Sequence, residues 1–303
     1  MIEGFIYGFC ENFAFLALSA LGMAVIYGMM GITNLAHGEF MMIGAYVTAL
    51  LVNVCRIPLI VAVLAASVVT GAWGLLIDRT IIKRLYDRPL DSIVATWGIS
   101  LVMTQAVFIM FGSRINSVAT PLGNIRIGER SYSIYHLLLV LIAVAILAVL
   151  YFLFNHTRFG LHSRATMQDR VIAGSLGINS NKMNAVTFFL GSALAGLAGG
   201  LYAPTMMISP TYGSSFLMQA FVAVIVGGAN PLMGTLMSAL GLSFVQTTLS
   251  MVFNTLIGKV GMLVMAIIVI RVLPGGFSTL LNKRAIKVKK GMSRNEKDKS
   301  VNK

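Results

Sequence analysis

The chain has 303 residues, 57 % of them hydrophobic and 11 % charged, with a mean hydropathy of +0.85. A soluble domain carries about 25 % charged residues, so the composition excludes an ordinary soluble enzyme and places most of the chain in a lipid bilayer. Its 23 basic against 10 acidic residues give a net charge of +13. That charge sits in short loops and the C-terminal tail, as the positive-inside rule expects, and no basic or aromatic platform for nucleic acid is present.

Apolar runs separated by charge gaps set out the predicted spans. The first is 13–30, after Glu11, and a polar, glycine-bearing interruption follows at 31–40. The second is 41–54, closed by a turn at Arg56 and Pro58, and the third is 60–77. A charged loop, 78–91, leads into a fourth span at 93–111. A polar loop, 113–132, precedes a fifth at 134–154. The longest polar stretch, 155–184, precedes a sixth at 185–203, and a Pro/Gly/Ser loop runs over 204–215. Residues 216–226 are apolar but too short to span as a straight helix, and they end in Gly227-Gly228-Ala229-Asn230-Pro231, a strong backbone break. Residues 232–253 and 256–272 are further spans.

The predicted fold is an all-α, polytopic helical bundle of about eight or nine transmembrane segments with broken helices. The membrane domain covers 1–278, and 279–303 is a basic, disordered cytoplasmic tail with nine Lys/Arg from Lys283 onward. The basic loops at 79–88 and 158–182 and the tail face the cytoplasm, which requires 216–226 to cross or nearly cross. The loop 113–132 falls outside although it carries Arg114, Arg126 and Arg130. Cys10 and Cys55 stand far apart without a CxxC motif, so neither a metal site nor a disulfide framework is expected. The apolar N-terminus lacks a basic leader and reads as mature protein.

Backbone groups cannot go unpaired in lipid, so helix breaks occur only where protein or a water-filled path satisfies them. Two breaks, 31–40 and 227–231, suggest an inverted repeat around a midplane path. In the first, Asn34, His37 and Glu39 read either as a solvated interfacial turn with Asn34 as helix cap, or as a half-helix break lining a substrate path. One His and one Glu are too few for a metal site. No nucleophile–base pair is evident within the spans, so no enzyme activity is expected.

The first break is flanked by Tyr27-Gly28, runs through Asn34-Leu35-Ala36-His37-Gly38 and continues into Ile43-Gly44-Ala45-Tyr46. This block resembles the first signature of the branched-chain amino acid ABC transporter permeases. The cytoplasmic run Thr157-Arg158-Phe159-Gly160, followed by Arg164-Ala165, Asp169, Gly174, Leu176 and Gly177-Ile178, resembles that family's cytoplasmic signature. The resemblance continues through the small-residue helix after Asn184. The Gly227-Gly228 block and the close at Arg271–Gly276 match more loosely: Asn230-Pro231 departs from the first, and Val272-Leu273 separates arginine from proline in the second. The stretch Thr96-Trp97-Gly98 resembles a block of the urea and short-amide permeases, and Gln105 could add an amide two turns further along.

The resemblance covers residues 10–278 and implies the permease subunit of an ATP-driven importer in the inner (plasma) membrane, for branched-chain or other hydrophobic amino acids, or for urea or short amides. It implies a second permease subunit, two ATP-binding subunits and an extracytoplasmic substrate-binding protein as partners. The segment from Arg164 to Gly177 would contact the ATPase. Asn34, His37, Glu39, Thr96, Trp97, Gln105, Gly227, Gly228 and Asn230 would lie along the path. The only Gly-Lys pair, Gly258-Lys259, is followed by Val260, so there is no Walker A motif and ATP would be hydrolysed by another chain. Without the resemblance, the residues also allow a stand-alone urea or amide channel, or an ion-coupled carrier using Glu39.

Overall fold

A computed structural model describes residues 2–86, 88–127, 130–228, 231–273 and 275–278. Asn230 and the predicted tail, 279–303, lie outside the described residues. The long helices are α1 (Ile2–Met30), α3 (Leu59–Thr80), α4 (Pro89–Phe111), α5 (Ile134–His156), α8 (Ser180–Tyr202), α10 (Pro231–Val252) and α11 (Thr255–Val272). All seven are long and apolar enough to cross a membrane. Two shorter apolar helices join them, α2 (His37–Asn53) and α9 (Ser214–Gly227). Outside the apolar segments lie a 3-10 turn (Ile82–Leu85) and two short helices, α6 (Arg158–Gln168) and α7 (Arg170–Ser175). The polar loop predicted at 113–132 contains a hairpin, β1 (Asn124–Ile127) against β2 (Arg130–Ser133).

Every predicted span is a helix, with shifted ends. Helix α1 starts eleven residues earlier than expected, at Ile2, and takes in Glu3 and Glu11. Glu11 has a partner in the bundle: Nδ1 of His136 on α5 lies 3.1 Å from its Oε1. The first break is shorter than predicted, since His37–Phe40 already form the first turn of α2.

Contacts at the helix ends fix the direction of each span. Tyr7, near the start of α1, donates to the Ser133 carbonyl at the start of α5, and Tyr135 donates to the Leu201 carbonyl at the end of α8. The end of α2 joins the same face through Asn53 and the Asn116 carbonyl. At the opposite face Arg170 stacks on the Tyr86 ring, 5.1 Å from its centroid. The two basic loops therefore meet at one end of the bundle, the cytoplasmic one by the charge rule.

Small residues build the centre. Gly22 of α1 packs on Gly191 of α8, and Gly44 of α2 on Gly196 of α8. A Cβ at Gly44 would come within 2.5 Å of the Gly196 Cα, so only glycine permits this approach. The order α1–α2–α3 recurs as α8–α9–α10 with the direction reversed. Helix α1 packs on α10 as α8 packs on α3, α9 packs on α1 as α2 packs on α8, and α2–α3 matches α9–α10.

The two breaks of this inverted repeat are not the pair predicted. The partner of the first is the segment before α9, which the sequence marks only as a Pro/Gly/Ser loop. It returns into the bundle so that Gly213 lies against Gly38, where a Cβ on Gly38 would meet the Gly213 oxygen at 2.6 Å. Gly227 and Gly228 instead make the tight α9–α10 turn at the cytoplasmic end. Gly228 takes φ +80° and packs on Gly275 and Gly276, a conformation that glycine adopts without strain.

Candidate functional site

Helix α1 ends at Gly31, which has φ +68°, and the chain then turns back along the bundle. The Asn34 side-chain Oδ1 accepts from the Ala36 amide at 3.0 Å, closing an Asx turn before α2. Asn34 is therefore not the helix cap, a position held by Ala36 without a side-chain bond. The Leu35 amide donates to Thr96 Oγ1 of α4 at 3.1 Å. His37 is fully buried, and its Nε2 lies 2.9 Å from the Ser19 carbonyl of α1, so Nε2 carries the proton. Ser19 lies eleven residues before the end of α1, which puts the start of α2 about 16 Å inside the cytoplasmic end of that helix. The first turn of α2 thus begins at membrane depth, with its polar side chains held by the protein.

Glu39, in the first turn of α2, points between α2 and α4. Ser100 and Thr104 of α4 approach its carboxylate, while its Oε2 has no hydrogen-bond partner. Thr96, Ser100 and Thr104 recur every four residues, so they share one face of α4. This hydroxyl ladder and Glu39 form a polar seam inside an otherwise apolar region.

The structure thus brings Asn34, His37, Glu39 and Thr96 together. Trp97, 57 % exposed, and Gln105, also exposed, are turned outward from α4, Trp97 one turn before Ser100. Gly227 and Gly228 are not at this site either: the fourteen residues of α9 separate them from Gly213 by about 20 Å. Ser100 and Thr104 were missed, although their four-residue spacing from Thr96 was a readable signal. Gly213 was missed because a Pro/Gly/Ser segment looks the same whether it lies outside the membrane or folds back into it.

The cytoplasmic candidates form a second surface. Asp169 caps α7, accepting from the Val171 and Ile172 amides at 2.8 and 2.9 Å. Gly177, with φ +81°, ends it, and the Ile178 amide returns to the Ala173 carbonyl. On this frame Val171, Ile172 and Leu176 are 79, 61 and 74 % exposed. Gly174 stands beside them with open space where a side chain would be. Ala165, half-buried in α6, sits outside the patch. Arg164 turns away from it and donates to the Phe154 carbonyl at 2.7 Å and to Asn155 Oδ1 at 3.2 Å. It holds α6 on the C-terminal end of α5, where a cation also meets the negative end of the helix dipole.

A link between the two basic loops was not foreseen. Tyr86 donates to the buried Asp78 Oδ1 at 2.6 Å and carries Arg170 of α7 on its ring. Burial and this hydrogen bond push the Tyr86 phenol well above its ordinary pKa, so it remains a donor.

Comparison with known proteins settles the family. Residues 6–273 match the family model described as "Branched-chain amino acid transport system / permease component". The chain belongs to that family. It is a transport permease rather than an enzyme, and a multi-pass protein of the inner membrane. It is 31 % identical over 278 residues to the high-affinity branched-chain amino acid transport system permease protein LivH of Escherichia coli K12, covering 86 % of this chain and 90 % of the relative. The corresponding Pseudomonas aeruginosa protein, BraD, is 31 % identical over 240 residues, covering 74 % of this chain and 78 % of BraD. The ribose import permease protein RbsC of E. coli K12 is 26 % identical over 274 residues, covering 84 % of this chain and 81 % of RbsC. No solved structure matches the chain.

Proposed function

We propose that this chain is a permease subunit of an ATP-driven importer of branched-chain amino acids. It works with a second permease subunit, two ATP-binding subunits and an extracytoplasmic binding protein. The observation that carries the reading is the family match across nearly the whole chain, together with relatives whose names specify branched-chain amino acids. The exposed apolar patch on α7 supports the ATPase partner. Val171 and Ile172 on α7 and Leu176 just after it, at the cytoplasmic end, are left exposed by the described residues and suit a groove on a soluble subunit.

The substrate passes along the seam between α2 and α4. Glu39 offers an unpartnered carboxylate oxygen to the ammonium of a zwitterion, and Thr96, Ser100 and Thr104 supply hydroxyls beside it. His37 and Asn34 hold the break in place and do not touch substrate. ATPase closure moves α6 and α7, and Arg170 passes the motion through Tyr86 and Asp78 to the end of α3. The urea or amide reading rests on Trp97, whose side chain is turned outward from α4, and the relatives' names specify branched-chain amino acids, so amino acids are the substrate class we keep. Reconstitution with the partner subunits and a leucine-loaded binding protein tests this. Leucine uptake that depends on ATP and the ATPase is expected. Uptake without either, or of urea in place of leucine, would overturn it.

A further inference from the structure

At the cytoplasmic end of the bundle, α3 and α8 part to leave a pocket of about 460 Å³. Its mouth carries Arg79 and Lys83, just past α3 and in the 3-10 turn, and Lys182 in the first turn of α8. One to two turns deeper into the membrane its walls are apolar: Leu75 on α3, and Val186 and Phe189 on α8. Among the described lining residues the one acidic residue, Asp78, is occupied at Oδ1 by the Tyr86 hydroxyl. Among them, three cations against one carboxylate leave two positive charges at the mouth. Asn179 and Asn181 add side-chain amides beside them.

We infer that this pocket binds the headgroup of an anionic phospholipid, with an acyl chain lying along Val186 and Phe189. Charge and depth together select the occupant. Cations at the headgroup level above an apolar wall match a lipid phosphate above its chain. Each Lys or Arg near an anionic leaflet contributes about fivefold in affinity. An acidic surface of a soluble subunit would satisfy the cations but would leave the apolar wall, which runs down into the membrane, uncovered. The site is separate from the Glu39 seam and borders the Leu176 end of the exposed patch, since Asn179, Lys182 and Val186 also line a neighbouring pocket with Leu176. A lipid there would bridge α3 to the start of α8, the helix that follows α7.

The test uses the full-length chain in detergent, titrated with phosphatidylglycerol or phosphatidylcholine and read by native mass spectrometry. The triple variant Arg79→Gln, Lys83→Gln, Lys182→Gln should lose affinity for phosphatidylglycerol on the order of a hundredfold, with phosphatidylcholine binding unchanged. Val186→Trp, which fills the apolar wall and alters no charge, should also lower phosphatidylglycerol occupancy while the protein elutes as a single folded species. Undiminished phosphatidylglycerol binding by both variants would overturn the proposal. So would displacement of the lipid by millimolar inorganic phosphate, which would identify a free-anion site. A triple variant that keeps its lipid but no longer co-purifies with an ATPase subunit would assign the pocket to a protein partner and overturn it as well.

Discussion

Helices α8 and α5 make an instructive pair. Helix α5 is the most apolar span, yet 22 % of its apolar window is buried; α8 is among the least apolar, yet 61 % of its window is buried. Helix α4 is more peripheral still, at 11 %. In water the more apolar helix would sit inside. In lipid the surroundings are as apolar as leucine, so the inside goes to helices whose small residues let backbones approach. Helices α1 and α8 meet through Gly22 and Gly191, while Gly98 on α4 has no neighbour within 4 Å of a Cβ.

The same substitution at the two kinds of site should separate them most strongly. Gly44→Val forces a side chain into the Gly196 backbone and is expected to cost about 3 kcal/mol, seen as lost yield and a lowered melting temperature in detergent. Gly98→Val should leave both unchanged. Equal losses at the two sites would show that α4 is packed as tightly as the centre. Tyr86→Phe tests the joint between the tight and loose regions. It removes the hydroxyl that donates to Asp78 Oδ1 and should destabilise by about 1–3 kcal/mol, with Asp78→Asn recovering part of the loss. A Tyr86→Phe protein that melts with the wild type would remove the joint from the account.

Two further changes act on function more than on folding. Glu39→Gln keeps shape and removes charge, so uptake should fall on the order of tenfold, or about 1.4 kcal/mol, at unchanged melting temperature. A fall in stability with uptake per folded molecule intact would make Glu39 a packing residue. Gly174→Ala should stabilise α7 by up to about 1 kcal/mol, because nothing near it obstructs a methyl group. The same methyl should weaken ATPase co-purification if the subunit approaches closely there. The smallest effect is expected at Trp97→Leu, on the exposed face of α4, with uptake changed less than about twofold; a large loss would move the path to that face.

Much of the architecture was legible because long apolar runs between charged loops have few alternatives in a membrane. The rank of those runs, central or peripheral, was not, since hydropathy does not report burial there. The inward return of 203–213 was hidden for a related reason: its Pro, Gly and Ser content marks irregular backbone but not its depth. At the site, the polar character of Asn34, His37 and Glu39 was plain from the sequence. Their division of labour was not, because only geometry shows that His37 spends its donor on Ser19 while Glu39 keeps one oxygen free. The resemblance put Arg164 in the segment facing the ATPase, and the sequence could not show that its donors go to the end of α5.

The most direct test asks whether water and substrate reach the seam between α2 and α4. In a background carrying Cys10→Ser and Cys55→Ser, single cysteines are placed at Ser100, in the seam, and at Leu101, on the exposed apolar face of α4. Each is treated with a small water-soluble thiol reagent in the assembled, ATP-driven transporter. The account predicts that Ser100→Cys reacts, that leucine-loaded binding protein with ATP changes its rate, and that Leu101→Cys stays inert in lipid. An inert Ser100→Cys beside a reactive, substrate-sensitive Leu101→Cys would contradict it and place the path on the other side of α4.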